Sequence, residues 1–216
     1  CGGERDGNVI RPALLEEVIV ETPTIRTLKL APREPLGFRT GQFMELTVPG
    51  VGEAPFTPSS NPRTPELLEL TVMKVGRVTA RIHELAPGDT VGLRGPFGTG
   101  YPMDAFVGRE VLVVGGGCGF APLRSLMYEL FNRAGQFRKL VFRGGCRTPR
   151  DFLYRREIEG WAGRGDIDVV LTVDQDGDGW KGHVGMVTTI LDGVDVDRSE
   201  GVAVVCGPPV MIRFTQ

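Results

Sequence analysis

The sequence predicts a two-domain protein, in which an antiparallel β-barrel is followed by an α/β domain with a parallel sheet. The chain has 216 residues, which is long for one small domain and enough for two. Up to about residue 102 it contains short apolar runs with proline and glycine between them. After about residue 108 continuous apolar runs alternate with helical patterns, which is typical of a parallel sheet covered on both faces. We therefore expect domains at residues 8–104 and 108–216.

The first half reads as a series of strands with period-two alternation. The predicted strands are LEEVIVET, IRTLKLAP, GQFMELTV, LLELTVMKV and DTVGLRGPF. One helix is predicted in this half, at Val78 to Leu85. Repeated short strands with a single short helix favour a barrel or a sandwich.

The second half alternates strands and helices. The predicted strands are EVLVVGGG, KLVFRGG, IDVVLTVD and GVAVVCG. The predicted helices are PLRSLMYELFNRAG, RDFLYRREIEGWA and a helix near VGMVTTIL. Continuous apolar strands of this kind are buried on both sides, as in doubly wound α/β folds.

Composition excludes several classes of protein. A formal charge of −2 argues against a nucleic-acid binder that depends on phosphate contacts. No apolar run reaches the ~18 residues of a membrane-spanning helix, and the N-terminal CGGERDGN lacks the apolar core of a signal peptide. The four cysteines are too far apart for a local metal or iron–sulfur motif, which favours a reducing, cytoplasmic setting. They are Cys1, Cys118, Cys146 and Cys206.

A glycine-rich turn follows the first apolar strand of the second half. The segment VLVVGGGCGFAPLRSL runs from a buried strand through glycines into a helix, where backbone N–H groups can face a pyrophosphate. A literal GxGxxG does not fit, but GxGxAP does. The alternative is a tight turn at a sheet edge. The candidate nucleotide-binding residues are Gly117, Cys118, Gly119, Ala121 and Pro122.

The second predicted strand does not end in the acid that often holds the adenine ribose. Arg143, Arg147 and Arg150 lie there instead. Guanidinium groups suit a 2′-phosphate, so NADPH is slightly favoured over NADH, with Arg147 as a cofactor-binding candidate. The alternative is a solvated basic face.

The segment CGPPVM follows the last apolar strand and is predicted to line the crevice at the carboxyl ends of the strands. Cys206 is a candidate for contact with a nicotinamide ring, together with Gly207, Pro208 and Met211. A buried structural cysteine is the alternative for Cys206.

The segment GEAPFTPSS suits a flavin, which accepts a hydride from a nicotinamide. Phe56 offers an aromatic face and Thr57 a hydroxyl, on a stretch stiffened by Pro55 and Pro58. A second cluster opens the only predicted helix of this half and supplies N–H donors, a hydroxyl and positive charge. It consists of Met73, Lys74, Gly76, Arg77, Val78 and Thr79.

Other conspicuous residues have simpler interpretations. His83 and His183 lie far apart in the chain, so no metal site is predicted. DQDGDG lacks the glutamate that completes a calcium loop and reads as a solvated turn. Trp161 and Trp180 are expected to serve packing.

In its order of motifs the chain resembles the ferredoxin–NADP reductase superfamily over nearly its whole length. The motifs are GQF, the flavin segment, GRVT, GPFG, GGGxGxAPLRS and CGPPVM. The resemblance is strongest to the NAD(P)-binding gamma subunits of sulfhydrogenases or NiFe hydrogenases and the B subunit of anaerobic sulfite reductase. Electron-transfer subunits of dihydroorotate dehydrogenase are near relatives.

This resemblance implies an FAD-binding barrel and an NAD(P)-binding α/β domain. In the family's flavin motif the hydroxyl position maps to Thr57 and the aromatic position to Phe56. The arginine position maps to Ala54, which is a departure, and Arg77 is the candidate to supply the charge. Gamma-type subunits continue into a cysteine-rich [2Fe–2S] segment, so such a cluster is expected only beyond Gln216.

The resemblance therefore implies an FAD-dependent NAD(P)H oxidoreductase that passes electrons to an iron–sulfur partner subunit of a hydrogenase or sulfite reductase complex. Thr57 would tune the flavin and Cys206 would lie against the nicotinamide. Two alternatives stay open. One is an electron-transfer subunit of dihydroorotate dehydrogenase. The other is a non-catalytic scaffold subunit, which the absence of the motif arginine at Ala54 would favour. No nucleic acid and no membrane insertion are expected.

Overall fold

The computed structural model describes residues 7–215, and these form two compact units. One unit runs to Tyr101 and also takes in Arg124–Glu129, and the other holds the rest of the chain from Pro102 onward. Residues 1–6, which include Cys1 and most of the N-terminal segment CGGERDGN, lie outside the described residues, and so does Gln216. No helix between residues 7 and 215 is long and apolar enough to cross a membrane.

The first unit contains a six-stranded antiparallel sheet in the order β4-β3-β6-β1-β2-β5. β1 is the longest strand, and β-bulges interrupt its pairing with β2 at two places. The strands are β1 (Arg11–Thr22), β2 (Ile25–Pro32), β3 (Phe43–Val48), β4 (Gly52–Phe56), β5 (Leu68–Met73) and β6 (Thr90–Phe97).

The sheet closes on itself between its two edge strands. Two residues beyond β4, Pro58 forms an antiparallel bridge with Leu70 of β5. The Ser59 N–H then donates to the Glu69 carbonyl at 2.7 Å, and the Ser60 hydroxyl accepts from the Glu69 N–H at 3.1 Å. We call residues 58–60 and their contacts with β5 the barrel seam. The predicted barrel is confirmed, and the two serines of GEAPFTPSS serve its closure.

Inward-facing aliphatic side chains fill the barrel, because alternate residues of each strand point to the same side. Leu15, Leu28, Met44 and Leu93 are among those with no exposed surface. The predicted helix is shorter than expected, α1 (Arg77–Ile82), and His83 is the residue that caps its C-terminal end. His83 is buried and its Nε2 lies 2.9 Å from the Val72 carbonyl, so it is a packing residue.

The second unit contains a five-stranded parallel sheet in the order β10-β9-β8-β7-β11. Its helices differ most from the predicted ones. The helix expected near VGMVTTIL is a single 3₁₀ turn, Val187–Ile190, and a helix absent from the prediction follows the last strand. The strands and helices that follow the barrel in the chain are β7 (Glu110–Gly116), α2 (Phe120–Asn132), β8 (Lys139–Cys146), α3 (Arg155–Trp161), β9 (Asp168–Val173), β10 (His183–Val184), β11 (Val202–Cys206) and α4 (Pro209–Phe214).

An aromatic cluster joins the sheet of the second unit to its helices. The Phe142 ring on β8 lies edge-on to Trp161 of α3 with centroids 5.3 Å apart, and Phe120 lies 5.7 Å from Phe152. Trp180 stacks on Phe152 at 5.5 Å. Edge-to-face and offset pairs of this kind stabilise beyond the area that they bury. Both tryptophans therefore serve packing, as predicted.

Candidate functional site

The candidate flavin segment begins as the edge strand of the barrel. Ala54 pairs with Leu46 and Phe56 with Met44, so both face the same side as the barrel core. Phe56 is half-buried and packs against that core, and Thr57 follows it at the end of the strand. An edge strand tolerates Pro55, whose missing N–H costs no ladder bond there. The strand thus carries its aromatic ring and its hydroxyl to the barrel seam.

A consecutive exposed stretch, Met73 to Arg77, connects β5 to α1. Met73 is 40% exposed and Val75 71% exposed, although both are apolar. Lys74 and Arg77 contribute two cations within the same five residues. Exposed apolar side chains next to cations fit a ligand that combines an apolar ring with phosphate groups. The residues present therefore fit FAD.

Thr79 fixes the shape of this stretch. Its Oγ1 accepts hydrogen bonds from the N–H groups of Val75 and Gly76, at 2.9 Å each, and donates to the Gly76 carbonyl at 3.0 Å. The Arg77 guanidinium donates to the Val51 carbonyl, on the turn before β4, at 3.3 Å. The structure thus brings the predicted GRVT residues to the β4 side of the barrel, with Arg77 held at the turn before the strand that carries Ala54.

In the second unit the strand order creates a switch point. The chain passes from β7 to β8 in one direction along the sheet, and later returns past β7 to place β11 on its other side. In open parallel sheets, ligands bind at the carboxyl ends of the strands where the order reverses. Here those ends carry GGGCG after β7 and CGPP after β11, with Cys206 opposite Gly115.

The glycine loop packs tightly at this switch point. Gly117 has φ +55°, a left-handed conformation that glycine adopts without strain, and a side chain placed there would meet open space. By contrast, a Cβ on Gly119 would overlap the Cys206 carbonyl and lie 2.7 Å from the Gly207 nitrogen. A Cβ on Gly116 would lie 2.6 Å from the Met211 sulfur. The predicted residues of both loops therefore lie together, and close backbone approach explains the glycines.

Three thiols lie at this edge of the sheet, and all three are free. Burial raises the pKa of Cys118 and of Cys206, and the neighbouring Cys206 raises that of Cys118 further. Burial also raises the pKa of Cys146 to about 12, despite a hydrogen bond from the Gly117 backbone. All three are therefore neutral thiols at neutral pH, which suits contact with a neutral ring better than nucleophilic chemistry.

We predict that Cys146 resists alkylation in the native protein. Its pKa is raised from 9.0 to about 12, so the reactive thiolate is about a thousandfold scarcer below pH 9 than for an ordinary cysteine. Because the raised pKa belongs to the folded state, folding loses stability as the pH rises above 9. Mass spectrometry after iodoacetamide treatment at pH 8 should find Cys146 unmodified, with urea-unfolded protein as the fully reactive control. Rapid native modification would show that the site opens.

The arginines expected at a 2′-phosphate do not act together. Arg143 is a core residue: its guanidinium donates to the carbonyls of Ile190, Phe142 and Asp168 and pairs with the Asp168 carboxylate at 2.7 Å. The prediction of a phosphate contact for Arg143 is therefore wrong. Arg150 is held by Asp178 through two hydrogen bonds of 2.6 and 2.7 Å. Arg147 is exposed, as Arg150 is, and its guanidinium lies 3.8 Å from the Asp151 carboxylate.

Sequence reasoning missed Asp174, the first residue after β9. Its N–H donates to the Cys146 carbonyl, and the next N–H, of Gln175, donates to the Arg147 carbonyl, both at 2.9 Å. Asp174 is exposed beside the end of β8. An acidic residue therefore stands at the end of β9, next to the end of β8 where none was found, a placement that only the strand order could have indicated. DQDGDG otherwise forms a turn, in which Asp178 has φ +51°.

The comparisons with known proteins agree with this geometry. Residues 14–101 match the family described as "Oxidoreductase FAD-binding domain", and residues 113–216 match "Oxidoreductase NAD-binding domain". The chain is 34% identical over 179 residues to the sulfhydrogenase 1 subunit gamma of Pyrococcus furiosus, covering 82% of this chain and 61% of the relative. It is also 34% identical to a probable dihydroorotate dehydrogenase B (NAD(+)) electron transfer subunit of Methanocella arvoryzae, covering 93% and 69%.

Solved structures show the same fold. A ferredoxin NADP+ reductase from Neisseria gonorrhoeae with bound FAD and NADP superposes with a TM-score of 0.81 at 19% identity, covering 95% of this chain and 88% of that one. The cytochrome b5 reductase domain of Ulva prolifera nitrate reductase gives 0.78 at 22%, covering 96% and 90%. The chain belongs to the ferredoxin–NADP reductase family of FAD- and NAD-binding oxidoreductases. It spans 61–65% of the length of the two sulfhydrogenase gamma subunits that it matches.

Proposed function

We propose that this chain is an electron-transfer subunit that exchanges electrons between NAD(P)H and an iron–sulfur partner. The observation that carries the proposal is the presence of two built sites in one chain. The barrel offers an exposed apolar and cationic stretch beside an aromatic–hydroxyl segment, and the parallel sheet offers a glycine loop at its switch point. Bound FAD supplies the chemistry that connects a two-electron hydride donor to one-electron acceptors.

Each set of residues has a distinct task in this proposal. Phe56 and Met73 cover the ring of the flavin, Thr57 donates to its polar edge, and Lys74 and Arg77 neutralise its phosphates. The loop Gly117–Pro122 binds the nucleotide pyrophosphate through backbone N–H groups. Cys206 presents a neutral thiol to the nicotinamide. We propose domain boundaries at 8–104 and 108–216 for these two tasks.

The names of the relatives support a partner within a larger enzyme. The matched proteins named as sulfhydrogenase gamma subunits and dihydroorotate dehydrogenase electron transfer subunits are all parts of larger enzymes. We infer a hydrogenase or sulfhydrogenase complex first, with sulfite reductase and dihydroorotate dehydrogenase complexes as alternatives. Three free thiols favour a reducing, cytoplasmic setting.

The decisive experiment is the absorbance spectrum of the purified chain, before and after anaerobic addition of NADH or NADPH. Flavin bands near ~370 and ~450 nm that bleach with the nucleotide are the expected result. If the chain reconstituted with excess FAD holds no flavin, the catalytic proposal fails and the scaffold alternative stands. Bound flavin that neither nucleotide reduces would leave a flavin-binding subunit without the nicotinamide function.

We predict that NADH is the better donor. Arg143 and Arg150 are engaged within the protein, while Asp174 lies beside Arg147, where a carboxylate binds a ribose 2′-OH and repels a 2′-phosphate. We expect kcat/KM for NADH to exceed that for NADPH by about tenfold or more. Asp174→Asn should lower the ratio of kcat/KM for NADH to kcat/KM for NADPH. Asp176→Asn, a matched change in the same exposed turn, should leave that ratio unaltered. A preference for NADPH in the wild type would refute the assignment.

A further inference from the structure

A line of buried hydroxyl groups crosses the wall of the barrel. Thr27 Oγ1 donates to Glu21 Oε1 at 2.8 Å and lies 2.8 Å from Thr71 Oγ1, which in turn lies 3.2 Å from Ser59 Oγ. Thr27 and Ser59 have no exposed surface, and Thr71 is 6% exposed. The four side chains come from β1, β2, β5 and the barrel seam. We call them the hydroxyl ladder.

The local structure explains why the ladder is continuous. Thr27 and Thr71 are directly opposite each other in the pairing of β2 with β5. The pairing of β1 with β2 shifts between Val20 and Thr22, so Glu21 is the extra residue of a β-bulge. A bulge turns a side chain away from its regular direction, and here the carboxylate reaches the Thr27 hydroxyl.

The ladder fixes Ser59 on β5 through its side chain. The Thr27 hydroxyl donates to Glu21, so the Thr71 hydroxyl is the donor in its bond with Thr27. The Ser59 hydroxyl donates its single hydrogen to the Glu69 carbonyl at 3.1 Å, and its oxygen lies 3.2 Å from Thr71 Oγ1. Both partners of Ser59 lie on β5, so its side chain adds to the backbone contact that closes the barrel.

The ladder ends two residues after Thr57, on the segment that closes the barrel. We propose that Glu21, Thr27 and Thr71 are positioning residues for residues 54–58, because they hold Ser59 on β5 at the end of that segment. This inference rests on the proposed function, which makes residues 54–58 the flavin segment.

The test compares four ladder variants of the full chain with a matched control. Thr27→Val removes the first hydroxyl, Thr27→Ser retains it, Ser59→Ala removes the last, and Glu21→Gln keeps an acceptor oxygen at nearly constant size. Thr24→Val is the control, because Thr24 is exposed on the same β1–β2 hairpin. Thr27→Ser should behave like the wild type in every measurement.

The first measurement needs no flavin. Amide hydrogen exchange in the peptide covering residues 54–60 should be about fivefold faster in Thr27→Val and Ser59→Ala, as expected when one buried hydrogen bond is lost. It should be unchanged in Thr27→Ser and Thr24→Val. Residues 43–48 of β3 provide the reference peptide. Equal acceleration in both peptides, or none in residues 54–60, would overturn the positioning role and leave ordinary structural hydrogen bonds.

The second measurement is the dissociation constant for FAD. It should rise by about fivefold in Thr27→Val and Ser59→Ala, and stay at the wild-type value in Thr27→Ser, Glu21→Gln and Thr24→Val. An unchanged dissociation constant in Thr27→Val and Ser59→Ala would reject a positioning role for the flavin segment. A wild type that binds no flavin would refute the proposed function, yet the exchange measurement would still decide the positioning role.

Discussion

Replacing Gly119 by alanine lowers kcat/KM for NAD(P)H by about a hundredfold, because a change of about an ångström in the position of a bound reactant has effects of this size. The added Cβ overlaps the Cys206 carbonyl, which is backbone and cannot rotate away. The loop after β7 must therefore move away from β11, and the pyrophosphate and nicotinamide sites lose their spacing. Steady-state reduction of ferricyanide by NADH or NADPH measures the effect.

The flavin should remain in this variant, since the residues assigned to flavin binding all precede residue 80. Flavin absorbance per chain therefore separates a defect in nucleotide binding from a defect in folding. Gly135→Ala is the matched control, because a Cβ on Gly135 meets nothing within 4 Å. If Gly119→Ala reduced ferricyanide as fast as the control, the nucleotide could not lie on this loop.

Replacing Thr79 by valine weakens FAD binding by about tenfold or more. The change removes the acceptor of two backbone N–H groups, Val75 and Gly76, and each lost hydrogen bond costs about 1 kcal/mol. The stretch that presents Met73, Lys74 and Arg77 then loses its shape. Titration of the cofactor-free protein with FAD, followed by the quenching of flavin fluorescence, gives the dissociation constant.

Thr79→Ser is the control for this second prediction. Serine keeps the oxygen that accepts both N–H groups, so FAD binding should stay within about twofold of the wild type. Because Thr79 is buried, the valine variant also loses stability, which thermal unfolding of the cofactor-free protein measures. A valine variant that is less stable but binds FAD normally would show that the stretch from Met73 to Arg77 does not hold the cofactor.

The sequence was sufficient to predict the fold class and most strand positions, because apolar periodicity reports directly which residues a sheet buries. It also placed the glycine loop, since GxGxAP between a strand and a helix has few structural interpretations. GEAPF was not among the predicted strands. Only the pairing of β4 with β3 shows that Pro55 occupies an edge position, where no partner needs its N–H.

Two other differences have the same origin in long-range contacts. Arg143 read as a surface cation because arginine is mostly exposed, but the carbonyls of Ile190 and Asp168 and the Asp168 carboxylate satisfy its guanidinium inside the fold. Asp174 was not predicted because dinucleotide-binding folds often carry this acid at the end of the second strand, which is β8 here. The sequence of β8 does not indicate which strand pairs with it, so it cannot show that the end of β9 lies alongside.

The strand order of the second unit has a consequence for biosynthesis. The nucleotide crevice lies between β7 and β11, which are the first and last strands of their sheet in chain order. Gly119 packs against Cys206, which is synthesised 87 residues later. The residues assigned to the flavin, in contrast, all belong to a barrel whose last strand ends at Phe97. A nascent chain emerging from the ribosome therefore contains every strand of its barrel well before the second side of the nucleotide crevice has been synthesised.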